Sequence, residues 1–80
     1  MLFKPVTTEK AVRLIDLDNT LVFEIVRQAD KESIKTEFEQ GFAVKVEKVR
    51  TNLRNNVKYA YIKLAKSHKA ADLATKLGVI

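Results

Sequence analysis

The sequence predicts an α+β fold: a split β-α-β arrangement in which a mainly antiparallel sheet of three to four strands packs with three helices. Three observations predict it. Segments with apolar residues at helical spacing alternate with segments of period two, at 19–27, 43–54 and 57–65. The last two of these are joined by Asn55-Asn56 alone, which makes them a hairpin. A helical segment separates the first strand from the hairpin, so it carries the chain across the sheet. The hairpin then pairs back between the two parallel strands.

Taken in order, Leu2–Lys4 is a candidate edge strand. Residues 7–17 set Ala11, Val12, Leu14 and Ile15 at helical spacing behind a threonine pair suited to capping, and Pro5 prevents backward extension. Residues 19–27 are a strand, in which Leu21, Phe23 and Ile25 alternate with Val22, Glu24 and Val26. Asp30 is a cap for a helix that aligns Ile34, Phe38 and Phe42, and Gly41 is the expected positive-φ residue near its end. Residues 43–54 begin with Val44 and Val46 on one face and resume with Val49 and Leu53 one step out of phase. A bulge near Glu47 and Lys48 reconciles the two halves. Val57–Ala65 completes the hairpin. Ser67 is the expected cap of a last helix with the stripe Ala70, Leu73, Ala74 and Leu77, stopped by Gly78.

Eighty residues suit one domain, and a chain this short buries only about 60% of its unfolded surface. A hydrophobic fraction of 46% with 2 Gly and 1 Pro indicates a folded chain rather than a disordered one. The absence of cysteine excludes a disulfide framework, a thiolate metal site and a cysteine nucleophile. No apolar run is long enough to span a membrane, and the start lacks the apolar stretch of a signal peptide, so a cytosolic protein is expected.

The net charge is +5, but its placement says more than its size. Residues 45–69 hold eight bases against Glu47 alone, a local balance of +7, whereas the rest of the chain is slightly acidic at −2. Segregation of this kind points to a polyanion. If Val49, Thr51 and Leu53 face the core, then Lys48, Arg50, Asn52 and Arg54 face outward. On the partner strand Ala60, Ile62 and Leu64 are the core set, which leaves Tyr59, Tyr61 and Lys63 on the other face. Guanidinium and ammonium groups neutralise phosphates, an amide bonds sugar or base edges, and a phenol stacks or donates. Lys48, Arg50, Asn52, Arg54, Tyr61 and Lys63 on this face, with Lys45 and Lys58 of the same basic stretch, are the candidate nucleic-acid contacts, and Lys4, Lys10 and Arg13 near the start of the first helix are weaker additions. Two rival uses of the same face are a free-standing single-strand RNA-binding module and an adaptor for an acidic protein.

Enzymatic readings find little support. Asp16 and Asp18 beside Asn19 lack the glycine and terminal glutamate of a calcium loop, and a helix end uses such residues for backbone reasons. His68 stands without an acidic or nucleophilic partner in the sequence and reads as a surface residue. No glycine-rich loop offers a phosphate cradle. The strand Lys58–Leu64 echoes the aromatic strand of RNA-recognition motifs but lacks the glycine after its first base. No enzyme, cofactor, small-molecule substrate or membrane partner is expected. Pro5–Lys10 is locally a helix start, with Glu9 where the helix dipole favours negative charge.

The segments PVTTEKA, NTLVFEIV, the Lys31–Phe42 helix with VKVEKVRT, and KYAYIKLAK with ADLATKLG occur in one order along the whole chain. Together they resemble ribosomal protein twenty-three of the large subunit. The most specific part is Lys58, Ala60, Tyr61, Ile62, Lys63 and Leu64, followed by the Pro-x-x-Thr-Glu-Lys start. The resemblance implies binding to large-subunit ribosomal RNA, mainly its third domain, at the rim of the peptide exit tunnel, among neighbouring ribosomal proteins. It also implies that Glu9, with Thr8, helps dock factors that meet the nascent chain: a ribosome-associated chaperone in bacteria, the signal recognition particle and related complexes in archaea and eukaryotes. Bacterial members carry a long basic hairpin extension where this chain has Asn55-Asn56, and eukaryotic members usually add a basic N-terminal extension, so the chain resembles an archaeal-type short form. Tyr59 stands where a further basic residue is common.

Overall fold

The structure, a computed structural model, describes residues 3–79. Its elements are β1 (Lys4–Pro5), α1 (Glu9–Asp18), β2 (Thr20–Ile25), α2 (Lys31–Phe42), β3 (Val46–Arg54), β4 (Val57–Leu64) and α3 (Ala70–Leu77). The sheet runs β1-β2-β4-β3 with every neighbouring pair antiparallel. β2 and β3 are therefore parallel to each other, joined through α2 and separated by β4, which is the expected split β-α-β. Lys4 of the expected edge strand lies in β1; Leu2 falls outside the described residues.

Local chemistry sets the boundaries. Thr8 is the N-cap of α1, its Oγ1 accepting from the Ala11 N–H at 3.3 Å, so the helix starts at Glu9 rather than residue 7. Asn19 then turns left-handed, with φ of 51°, and donates its backbone N–H to the Leu14 carbonyl, ending α1 and delaying β2 to Thr20. Asp30 caps α2 as expected. It accepts from the Ser33 N–H at 2.8 Å, a bond that holds its carboxyl below the ordinary value. Glu47 is the extra residue of the bulge, because pairing passes from Val46↔Leu64 to Lys48↔Lys63. Asn55 and Asn56 both have positive φ, 51° and 65°, as the two central residues of a type I′ hairpin turn require.

Two expected helix signals are corrected. Gly41 lies inside α2, and the left-handed stop falls on Ala43, with φ of 55°. The helix runs on because Phe42 belongs to its apolar stripe, with its ring 4.6 Å from that of Phe38. Ser67 does not cap α3. Lys69 holds the N-cap position without a side-chain bond, and the Ala70 N–H instead donates to Asn19 Oδ1 at 2.7 Å. The cap is supplied from across the molecule, and it is joined by Asn19 Nδ2 donating to the carbonyls of His68 at 2.9 Å and Leu64 at 3.1 Å. His68, expected on the surface, is half-buried.

The core lies on one face of the sheet. Leu21, Phe23, Ile25, Val49, Ala60, Ile62 and Leu64 meet Ile15 of α1, Ile34 and Phe38 of α2, and Ala70, Leu73 and Ala74 of α3. All four phenylalanines join this cluster: Phe3 stands edge-on to Phe23 at 5.6 Å and to Phe38 at 5.3 Å. Each fully buried large side chain contributes about 1.5–3 kcal/mol. Burial fades along β3 toward the hairpin turn. Val49 is in the core, Thr51 is half-buried, and Leu53, expected inward as a core residue, is 56% exposed beyond the cover of the helices.

Candidate nucleic-acid interface

The opposite face of the same sheet is a grid of three rows, because residues paired across antiparallel strands share a face. At the α3 end the row is Thr20–Lys63–Lys48, in the middle Val22–Tyr61–Arg50, and toward the hairpin turn Lys4–Glu24–Tyr59–Asn52. Arg54, two residues beyond Asn52, extends the same side of β3. The grid is graded from dry to wet. Thr20 and Val22 on β2 are buried, Tyr59, Tyr61 and Lys63 on β4 are half-buried, and Lys48, Arg50, Asn52 and Arg54 on edge strand β3 are exposed. The β4 side chains thus form a firm base from which the β3 cations project.

The electrostatics are unbalanced by design of the register. Lys48 stands directly opposite Lys63, an arrangement that repels. Relief comes from Asp18 at the end of α1, whose Oδ1 lies 3.3 Å from Lys63 Nζ while its Oδ2 accepts from the buried Thr20 hydroxyl at 3.2 Å. The Lys63 hydrogen bond first, and the Thr20 bond second, hold the Asp18 carboxyl below its ordinary value. In the next row the Arg50 guanidinium sits 5.3 Å from the centroid of the Tyr61 ring. That cation–π contact holds Arg50 upright over the sheet and leaves its outer plane toward solvent.

Lys48, Arg50, Asn52, Arg54, Tyr61 and Lys63 are thus brought together on one surface. Lys4 joins them through its row, and Lys10 borders a hollow shared with Asn52 and Arg54. Lys45 is exposed in the loop before β3, and Arg13 is exposed on α1 one turn beyond Lys10. Lys58 does not share the surface. It pairs with Ile25 and Leu53 on the helix side of the sheet, and its ammonium donates to the carbonyls of Ala29 at 2.6 Å and Arg27 at 3.3 Å. Thr8 and Glu9 are exposed at the start of α1, and Thr8 lines the same hollow as Arg54. The two surfaces expected from the sequence therefore adjoin.

Two residues were undervalued by sequence reasoning. Asp18 is the counter-ion of Lys63, and the only sequence signal was its position two residues before a threonine that begins the strand. Asn19 ties the end of α1 to the end of β4 and the start of α3, a role with no local signal at all. The Asp16–Asp18–Asn19 segment is accordingly a helix stop with two further structural duties.

Residues 1–71 match the family described as ribosomal protein L23. The large ribosomal subunit protein uL23 of Methanothermobacter thermautotrophicus is 49% identical over 80 residues, covering 99% of this chain and 93% of the relative. The large ribosomal subunit protein uL23 of Pyrobaculum aerophilum is 44% identical over 81 residues, covering the whole of both.

Proposed function

This chain belongs to the ribosomal protein L23 family, and we propose that its open sheet face is where it holds large-subunit ribosomal RNA. It is a structural constituent of the large ribosomal subunit and not an enzyme. One observation carries the RNA reading: Lys48, Arg50, Arg54 and Lys63 share the one sheet face that the core leaves open, with Asp18 as the counter-ion of Lys63. Phosphate neutralisation supplies most of the affinity, and Arg50 and Asn52 add planar and amide contacts to the RNA. In keeping with the resemblance at Pro5–Lys10 and Lys58–Leu64, the contact lies on the third domain of that RNA at the rim of the exit tunnel. Lys58 contributes by stapling the loop before α2 rather than by touching RNA.

The test is a salt titration of binding to third-domain ribosomal RNA transcribed from an archaeal gene. Replacing Lys48, Arg50 and Arg54 together by Gln should lessen the slope of log K against log salt by about 2–3. An unchanged slope would remove this face from the reading.

A second role is favoured by the position of Thr8 and Glu9, exposed at the border of the RNA face rather than within it. This corner is the docking site for nascent-chain targeting factors such as the signal recognition particle. Large subunits carrying Glu9→Lys should assemble normally and bind that particle more weakly. Equal binding would leave Glu9 as a helix-start residue only.

A further inference from the structure

The open face is not flat. Between the start of α1 and the outer half of the hairpin it sinks into a hollow of about 140 Å³. The floor is apolar, formed by Val22 and Ala11, both buried yet outside the main core cluster. The half-buried rings of Tyr59 and Tyr61 line its side with Val6 and Leu14, and exposed Asn52, Lys10, Arg54 and Thr8 stand around it. Three chemistries are thus stacked by depth: apolar surface below, an aromatic ring and an amide beside it, and two cations at the mouth.

Each level selects the occupant. An apolar floor repels a phosphate, and a cavity of about 150 Å³ with apolar lining accommodates one benzene-sized ring in other proteins. Tyr61 is engaged by Arg50, whereas Tyr59 has no ring or cation partner among the described residues and offers its face for stacking. The Asn52 amide makes no hydrogen bond among the described residues, which leaves two donors and an acceptor for the edge of a base. Lys10 and Arg54 carry charge suited to an anionic backbone on either side of that base.

We propose that this hollow receives a single unstacked base of the bound RNA, seated over Val22 and Ala11 against Tyr59, with its edge bonded by Asn52 and its flanking phosphates on Lys10 and Arg54. The proposal rests on the RNA-binding reading of the open face and deepens it, by adding one base-reading anchor to a surface that otherwise reads phosphates. It also gives a reason for Tyr59 at a position where the resemblance leads one to expect a base-rich side chain: a ring serves a nucleobase, and a cation does not fill the slot.

The experiment uses the same third-domain RNA transcript with the whole chain. Tyr59→Ala should weaken binding about ten-fold at constant salt slope, because stacking is lost while phosphate contacts stay. Tyr59→Phe should bind like the parent. Asn52→Ala, at an exposed position that leaves the fold intact, should weaken binding several-fold. Chemical probing of Watson–Crick edges should reveal one nucleotide protected by the parent and reactive again with Asn52→Ala. Parent-like affinity for both Tyr59→Ala and Asn52→Ala overturns the base slot while leaving the phosphate-binding face untouched. A Tyr59→Lys variant that binds more tightly and with a steeper slope overturns it too, since the position would then serve a phosphate. A parent chain that shows no salt-dependent binding to the transcript overturns the underlying reading of the face and this inference with it.

Discussion

The two faces of one sheet are built from alternate residues of the same strands, and they obey opposite rules. On β4, Ala60, Ile62 and Leu64 are buried to 1% exposure or less, while Tyr59, Tyr61 and Lys63 between them are half-buried. The first set meets helices and excludes water. The second set is flanked by α1, whose Asp18 pairs with Lys63 and whose Ala11 and Leu14 share a hollow with Tyr59 and Tyr61, and it sets like charge against like, Lys63 opposite Lys48. A face that repels itself adds little to stability by its charges. The helix side therefore carries the fold, and the open side is the face proposed to hold RNA.

The largest expected effect comes from breaking the helix side. Ile62 sits mid-strand between Leu21 and Val49 with 0% exposure. Ile62→Ala should cost about 2–5 kcal/mol of unfolding free energy, from lost transfer energy plus the cavity left behind. Against a total of about 5–15 kcal/mol for a domain, that loss is severe. Urea denaturation followed by far-UV circular dichroism checks it. A loss under 1 kcal/mol would mean that the helices do not hold this face as described.

The next effect is an order of magnitude smaller on the same axis. The triple Gln variant at Lys48, Arg50 and Arg54, whose salt slope tests RNA binding, should shift stability by no more than about 0.5 kcal/mol. The shift is small because two effects oppose each other: removing Lys48 relieves Lys63, while losing Arg50 forfeits one cation–π contact. If this variant were as damaged as Ile62→Ala, the distinction between a folding face and a binding face would collapse.

The distinction itself was legible from the alternation of Val49, Ala60, Ile62 and Leu64 with Arg50, Tyr59, Tyr61 and Lys63, since period two assigns faces directly. The bulge at Glu47 and the turn at Asn55-Asn56 were legible for the same local reason: each is a departure that only certain backbones accommodate. The long-range order of the sheet was legible too, but the partners and the cover of several individual side chains were not. Leu53 has the parity of a core residue, but the pattern cannot say how far along a strand the helices reach. Lys58 has the charge of an RNA contact, but its parity places it on the helix side, where the carbonyls of Ala29 and Arg27 take its ammonium. The cap of α3 was sought in Ser67 because capping signals are local, yet Asn19 supplies it from 51 residues away. Gly41 looked like the stop of α2 because glycine is the least strained left-handed residue. Ala43 takes that conformation at a cost of about 1–2 kcal/mol, offset by seating Phe42 against Phe38.

The smallest expected effect separates the two faces by pH. Asp18 is paired with Lys63 of the open grid, and its carboxyl is held below the ordinary value chiefly by the Lys63 hydrogen bond. A carboxyl depressed in the folded state stabilises it fully at pH above the unfolded value, near 4, and loses that contribution as pH falls through the folded value. Stability of the parent relative to Asp18→Asn should therefore be constant from pH 7 down to about 5 and should shrink below 4. The size is small because both side chains are about two-fifths exposed, so water and salt screen the pair. In RNA binding the sign reverses: Asp18→Asn frees Lys63 beside Lys48, and affinity for the third-domain transcript should rise. A substitution that lowers stability slightly in acid-sensitive fashion and raises affinity identifies Asp18 as a counter-ion that RNA phosphate partly displaces. One that lowers both would instead make Asp18 part of the scaffold that aims Lys63, and the boundary between the two faces would then run through Thr20 rather than beside it.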